Sequence, residues 1–186
     1  MERSYVILPS PFGCVAILWQ EVERQPRVRR VFLSTESRTA EQCLRAATPG
    51  AQRRSHPAIA ELGGQIRDFL EGQPIQFALH SVALESCTEF QQSVLIAEHG
   101  IPRGWVSTYG LIAAHLGVER GARAVGTALA RNPFPLIIPC HRAIRSDGSL
   151  GGYQGGLTMK RRLLELEGVL VSARGKVITP KLYYSA

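Results

Sequence analysis

The stretch from Asn132 to Gly156, "NPFPLIIPCHRAIRSDGSLGGYQGG", constrains this chain more than any other. An apolar run drives straight into Pro-Cys-His-Arg, and a loop holding Gly148, Gly151, Gly152, Gly155 and Gly156 follows. The run reads as a buried strand that fixes Cys140. The glycines read as a loop free to fold back with its amides pointing inward. The thiol at the centre has three available roles: a buried small hydrophobe, a metal ligand or a nucleophile.

Bulk properties narrow the choice. With 186 residues and 45% hydrophobic content, the chain is long enough for one large domain or two small ones. It holds no run of apolar residues long enough to span a membrane, and "MERSYVILPSPFG" carries acid and proline where a signal peptide needs an uninterrupted apolar core. An intracellular, soluble protein is expected, cytoplasmic or, in a eukaryote, nuclear. Cys14, Cys43, Cys87 and Cys140 are widely separated, with no CxxC and no Cys/His pair at zinc-finger spacing. Such spacing argues against both a disulfide framework and a metal site.

The net charge of +7 is unevenly spread: residues 1–87 carry +1 and residues 88–186 carry +6. The basic excess lies in the half that holds Cys140. It suits a polyanion, nucleic acid first, although a solvated basic face would look the same.

Residues 4–9, 13–19 and 28–34 are short apolar or β-branched runs divided by "PSPFG" and by the polar "EVERQPR", as in a small antiparallel sheet. In residues 56–72, Ile59, Leu62, Ile66, Phe69 and Leu70 fall on one helical face, which Gly63 and Gly64 weaken. A boundary is expected near 80–88, with a supporting domain over 1–87 and a second domain over 88–186. The second opens on a helix started by Cys87 or Thr88 and closed by Gly100, and continues as helix and loop alone. Ser107 can cap "TYGLIAAHLG", and Gly117 turns the chain into "ERGARAVGTALARN", giving a helix-turn-helix. The second of these helices is rich in small residues: Gly121, Ala122, Ala124, Gly126, Ala128 and Ala130. Its backbone can approach either another helix or a nucleic-acid groove, with Arg123 as the long side chain on the small-residue face.

His141 adjoins Cys140, and an imidazole that takes the proton makes the attacking thiolate. Glu167 in "LLELEG" is a candidate to orient that imidazole. At this point the segment Arg123 to Gly168, "RAVGTALARNPFPLIIPCHRAIRSDGSLGGYQGGLTMKRRLLELEG", resembles the signature region of the O6-alkylguanine-DNA alkyltransferases, also called methylated-DNA–protein-cysteine methyltransferases. The likeness includes "RAVG", "NP" eight residues before the cysteine, the glycines around Tyr153, Lys160 and the terminal "LLxxEG". Upstream, "FQQSVLIAEHGIPRGWVSTYGLIAAHLG" extends it, so residues 88–168 are covered closely and the amino-terminal part more loosely.

The resemblance implies an α+β fold, with a small amino-terminal antiparallel-sheet, RNase H-like domain and a carboxy-terminal helical domain containing the helix-turn-helix. It implies direct-reversal DNA repair by a monomer without cofactor or metal, acting on double-stranded DNA that contains O6-alkylguanine. The lesion lies in the base stack, so it must be extruded. By resemblance, Arg123 fills the vacated place, and Ala122, Ala124, Gly126, Thr127 and Arg131 accompany it on the DNA face in the minor groove. Tyr109 assists flipping and donates to guanine N3. Cys140 accepts the alkyl group, His141 activates it through a water, Glu167 orients His141, and Asn132 ties the helix to the active-site loop. Pro135, Ala143, Tyr153, Gln154 and Lys160 belong to the substrate pocket, with amides near Tyr153 and Gln154 at O6. The thiol is not regenerated from the thioether formed on Cys140, so each molecule transfers once.

Thr127, Gln154 and "HSVALESCTEF" depart from the commonest pattern of the family. Thr127 bears on groove fit and Gln154 on tolerance for larger alkyl groups. Two rivals remain: an alkyltransferase-like protein that binds the lesion without transfer, which would lack Cys140, and a Cys-His hydrolase, which would turn over and need no basic helix-turn-helix.

Overall fold

The computed structural model describes residues 2–178 and 180–185. The fold is α+β and divides into two compact units. One holds the chain up to Ser86 together with Pro133–Ile137, and the other holds Cys87–Asn132 and the chain from Ile138 onward.

In the first unit, β1 (Ser4–Ser10), β2 (Gly13–Val22) and β3 (Gln25–Leu33) form an antiparallel meander. The polar "EVERQPR" is therefore not a linker. Both strands continue through it, leaving Glu23 and Arg24 as a two-residue turn with φ of 51° and 62°. A hairpin loop of two left-handed residues matches the twist of its strands, which explains how a polar segment still pairs. A short β4 (Gln52–Arg53) joins β1 in parallel, so the sheet is mixed, in the order β3-β2-β1-β4.

Two helices follow β3 in sequence, one before β4 and one after it. α1 (Ala40–Ala47) was not evident from apolar periodicity; its start is set by a capping box in which Thr39 and Gln42 satisfy each other's backbone N–H groups. Its Ala40 and Leu44 pack with Tyr5, Ala16, Leu18 and Phe32. Burying each large apolar side chain of such a cluster contributes about 1.5–3 kcal/mol. α2 (Pro57–Leu70) buries the predicted Ile59, Leu62, Ile66, Phe69 and Leu70. Gly63 has a positive reason to be there: a Cβ at that position would sit 3.0 Å from Leu8 Cδ2.

The second unit contains α3 (Glu89–His99), α4 (Tyr109–His115), α5 (Ala122–Ala130) and α6 (Gly156–Leu166). Thr88, not Cys87, caps α3. The cap of α4 is Thr108, whose hydroxyl accepts from Leu111 N–H (3.1 Å); the expected Ser107 instead donates to the Tyr183 carbonyl (2.8 Å). Ser107 is unavailable because its hydroxyl is committed to that carbonyl, one residue before the position from which a side chain reaches the first free N–H groups of the helix. β5 (Ser107–Thr108) pairs in parallel with β6 (Ala143–Ile144), so this unit is not helix and loop alone. Two-residue strands carry no periodicity to read.

The run before Cys140 is likewise not a strand. Phe134, Leu136, Ile137 and Ile138 are buried in an irregular, turn-containing segment, with Leu136 at φ 75°. Prolines at 133, 135 and 139 remove the donors a central strand would need. Among the described residues no helix is long and apolar enough to cross a membrane.

Candidate active site

Cys140 opens a single 3-10 turn, Cys140–Arg142, directly after the buried apolar segment and directly before β6. Two backbone devices hold it. Its own N–H donates to the Ile138 carbonyl (2.8 Å), and the Asn132 side-chain amide donates to the same carbonyl (3.1 Å). Asn132 follows the last residues of α5 and is fully buried, so that bond links the end of α5 to the residue two before the thiol. The Asn132 side chain also hydrogen-bonds Cys140 itself.

The thiol is 6% exposed and lies in the wall of a cavity of about 380 Å³. Tyr109, Gly126, Leu129, Ala130, Arg145, Gly151, Gly152, Tyr153 and Gln154 complete the lining. Gly151 is required there on two counts. Its φ is +68°, and a Cβ would fall 2.7 Å from the Tyr109 hydroxyl. The glycine thus lets the loop close against the phenol that faces the cavity.

Burial decides the resting protonation states. Desolvation pushes the Cys140 thiol up to about 12 and the Tyr109 phenol up to about 12, so both carry their protons at neutral pH. Burial also lowers His141, against the pull of Glu167, and leaves it a neutral imidazole. His141 Nε2 lies 2.8 Å from Glu167 Oε1, and the Glu167 carboxylate accepts from Arg142 Nε (2.9 Å) and Nη2 (2.8 Å). Although burial opposes it, these partners hold Glu167 down to about 2. An ionised carboxylate makes Nε2 the protonated nitrogen of His141 and leaves Nδ1 with the lone pair. The arrangement can therefore draw a proton from a neighbouring thiol and stabilise the imidazolium that results.

The remaining expected residues divide into three groups. Ala122, Arg123, Ala124, Thr127 and Arg131 are exposed and line one shallow surface with Phe90, Gln91 and Arg120. The Thr127 hydroxyl is turned back onto the Arg123 carbonyl (3.0 Å), so it offers its methyl group outward. Gly126, expected beside them, lines the cavity instead. Tyr153 and Gln154 line the cavity as well; Gln154 Nε2 donates to the Asn132 carbonyl (2.6 Å), and Tyr153 stands edge-on to His141 at 6.3 Å. Lys160 and Ala143 do not line the cavity: Lys160 is fully buried and its Nζ donates to the Ala143 carbonyl (2.6 Å). Pro135 falls in the segment that belongs to the first unit, whereas the cavity is lined wholly by the second.

Sequence reading passed over Arg142, Arg145 and Glu98. Arg142 stands in the quoted "PCHR", where a cation next to His141 is a signal for one carboxylate serving both. Glu98 lies four residues after Val94 on the buried face of α3, and an acid on such a stripe is itself a signal. Among the described residues no group of three or more His, Cys, Asp or Glu side chains could hold a metal ion.

Comparison with known proteins agrees with this arrangement. The family model described as the DNA-binding domain of 6-O-methylguanine DNA methyltransferase matches residues 89–169. A methylated-DNA–protein-cysteine methyltransferase of Methanothermobacter thermautotrophicus is 52% identical over 112 residues, 60% of this chain and 62% of that protein. The match therefore spans less than two thirds of that relative's length. The constitutive methylated-DNA–protein-cysteine methyltransferase of Bacillus subtilis is 32% identical over 166 residues, 89% of this chain and 95% of the other. The crystal structure of a Mycobacterium tuberculosis O6-methylguanine methyltransferase superposes with a TM-score of 0.72 at 31% identity, covering 89% of this chain and 92% of that one. A structure of the Mycobacterium tuberculosis OGT protein in complex with DNA gives 0.68 at 32% identity, covering 88% and 92%. With its cysteine, imidazole and carboxylate in one buried unit and a relative matched over nearly its whole length, the chain belongs to the methylated-DNA–protein-cysteine methyltransferase family.

Proposed function

We propose that this protein repairs duplex DNA by moving the alkyl group of O6-alkylguanine onto Sγ of Cys140, once per molecule, as a monomer and without a cofactor. The observation that carries the reading is the thiol in the wall of a solvent-reachable cavity, next in the chain to the His141 that pairs with Glu167. Relatives named for this activity support it.

The residues divide the work by their chemistry. The thiol proton passes to His141 Nδ1 by way of a water, while Glu167 holds the ring by Nε2 and stabilises its charge. Sγ then forms a bond to the alkyl carbon as the carbon–O6 bond breaks. Guanine leaves with the bonding electrons, and the proton that left the thiol ends on the base. Its developing charge is met by the Tyr109 hydroxyl at N3, a group whose raised pKa keeps it a donor, and by backbone N–H groups near Tyr153 and Gln154. The thioether is not returned to a thiol, which limits each molecule to one transfer.

The exposed face of α5 supports minor-groove docking. Ala122 and Ala124 let the backbone approach, Arg131 meets phosphate, and Arg123 enters the stack in place of the flipped base.

DNA carrying O6-methylguanine labelled on the methyl group tests the proposal. Label is expected on Cys140, saturating near one per protein and abolished by Cys140→Ala. Tight binding of the lesion with no label transferred would favour a sensor. Release of a small labelled product over many cycles would favour a hydrolase.

A further inference from the structure

The transfer chemistry leaves two buried titratable side chains unused, Glu98 and Lys160. Glu98 on α3 is fully buried, and its carboxylate makes no well-formed hydrogen bond among the described residues, the backbone of Ala143 being the one donor that acts on it. A carboxylate so poorly served by donors is costly to keep as an anion in such a place. Lys160 on α6 is fully buried too, and its Nζ donates to the carbonyls of Ala143 (2.6 Å) and Gly152 (3.4 Å). Ala143 directly follows the turn that carries Cys140, and Gly152 is in the cavity wall. The lysine therefore braces both sides of the site from behind.

The charged and titratable groups felt by Glu98 come from every neighbouring element. They are Lys160 from α6, Arg142 and Cys140 from the 3-10 turn, Tyr109 from α4 and Tyr184 from the carboxy-terminal tail, while Lys160 in turn feels Cys140, His141 and Arg145. Arg142 is already held by Glu167, which leaves Lys160 as the cation whose state Glu98 can govern.

We propose that Glu98 and Lys160 form a buried proton-holding pair that sets the charge around Cys140, with Glu98 acting as a positioning residue through Lys160. The proposal rests on reading Cys140 as the alkyl acceptor. Burial raises Glu98 to about 8 and lowers Lys160 to about 8. At neutral pH the pair is a neutral acid and an ammonium, net +1, which favours negative charge on sulfur as it develops. Above that range it loses two protons and becomes net −1, which opposes the thiolate. An ordinary thiol reacts faster as pH rises, whereas this one should slow.

The test is the single-turnover rate of the full chain with free O6-benzylguanine from pH 6 to 9.5, a substrate that bypasses DNA binding. The rate is expected to pass through a maximum and fall at least five-fold between pH 7.5 and 9.5, with a slope approaching two protons. In Glu98→Gln and in Lys160→Met the decline should fall to a one-proton slope. A rate that keeps rising to pH 9.5, or a Glu98→Gln profile that superimposes on the unmodified protein, overturns the proposal. If either variant fails to fold, carbon-13 NMR of labelled glutamate carboxyls in the unmodified chain decides the matter. One carboxyl titrating near 8 is expected; all titrating below 6 would sink the idea. Absence of any transfer to Cys140 would remove the alkyl-acceptor reading, while the carboxyl titration would still decide the pair.

Discussion

Glu167 Oε1 lies 2.8 Å from His141 Nε2, with the glutamate 7% exposed and the histidine fully buried. The same carboxylate is gripped from its other side by Arg142, so the two residues after Cys140 share one anion. That geometry assigns the His141 tautomer and makes the ring a base through Nδ1.

Replacing Glu167 should hurt chemistry and stability together. Glu167→Gln is expected to slow transfer on the order of 10²-fold, the lower end of what a positioned general base supplies. Removing the anion also leaves Arg142 buried without its partner, and loss of one member of such a pair costs about 3–5 kcal/mol. Single-turnover rates and urea midpoints measure the two effects separately. A rate within two-fold of the unmodified protein would contradict the assigned role.

The same carboxylate predicts acid sensitivity. Its folded pKa of about 2 lies below the ordinary 4.5, so the folded state binds fewer protons between those values. Its contribution, about 3 kcal/mol from the size of the shift, is therefore fully present above pH 4.5 and lost as pH falls toward 2. Urea unfolding at pH 6, 4 and 3 should show that loss, and Glu167→Gln should show less of it.

Gly151 offers a steric test of the Tyr109 position. In Gly151→Ala the new Cβ would press on the Tyr109 hydroxyl from 2.7 Å at a φ of +68°. The left-handed conformation alone costs about 1–2 kcal/mol. Transfer should fall at least ten-fold. Gly152→Ala, where a Cβ meets nothing within 4 Å, should stay within a few-fold. Equal losses in the two variants would show that the loop, not the phenol, sets the rate.

Substitution of Arg123 tests whether DNA handling can be separated from chemistry. The residue is exposed on α5, away from the cavity lining. Arg123→Ala should cut repair of duplex DNA at least ten-fold and leave reaction with free O6-benzylguanine within two-fold. Arg131→Ala should instead weaken binding to all DNA sequences and lower the salt dependence by about one phosphate contact. Matching losses of Arg123→Ala on both substrates would remove its role in flipping.

Much of this architecture could be read from residue order because it depends on local rules. The spacing of Ile59, Leu62, Ile66 and Phe69 marks one face of a helix, and α2 buries that face. Thr88 caps α3 and the glycine after Leu116 ends α4, both by interactions within a few residues. Elements built from short pairings escaped. β5 and β6 are two residues each and pair Ser107 with Ala143, 36 positions on, and β4 joins β1 from a distance. The polar hairpin at Glu23–Arg24 was missed because its turn needs no glycine.

The sequence by itself determined the thiol, its neighbouring imidazole and the basic, small-residue helix, since these are fixed by identity and adjacency along the chain. The tertiary structure alone decided that Glu167 reaches His141 across 26 positions and takes Arg142 with it. It also decided that Lys160 holds the carbonyls of Ala143 and Gly152, that Pro135 belongs to the other unit, and that Glu98 on α3 is shut away from water. The physical reason is desolvation. Protonation states and carboxylate partners depend on which side chains are shut away from water together, and that grouping exists only after distant segments have packed.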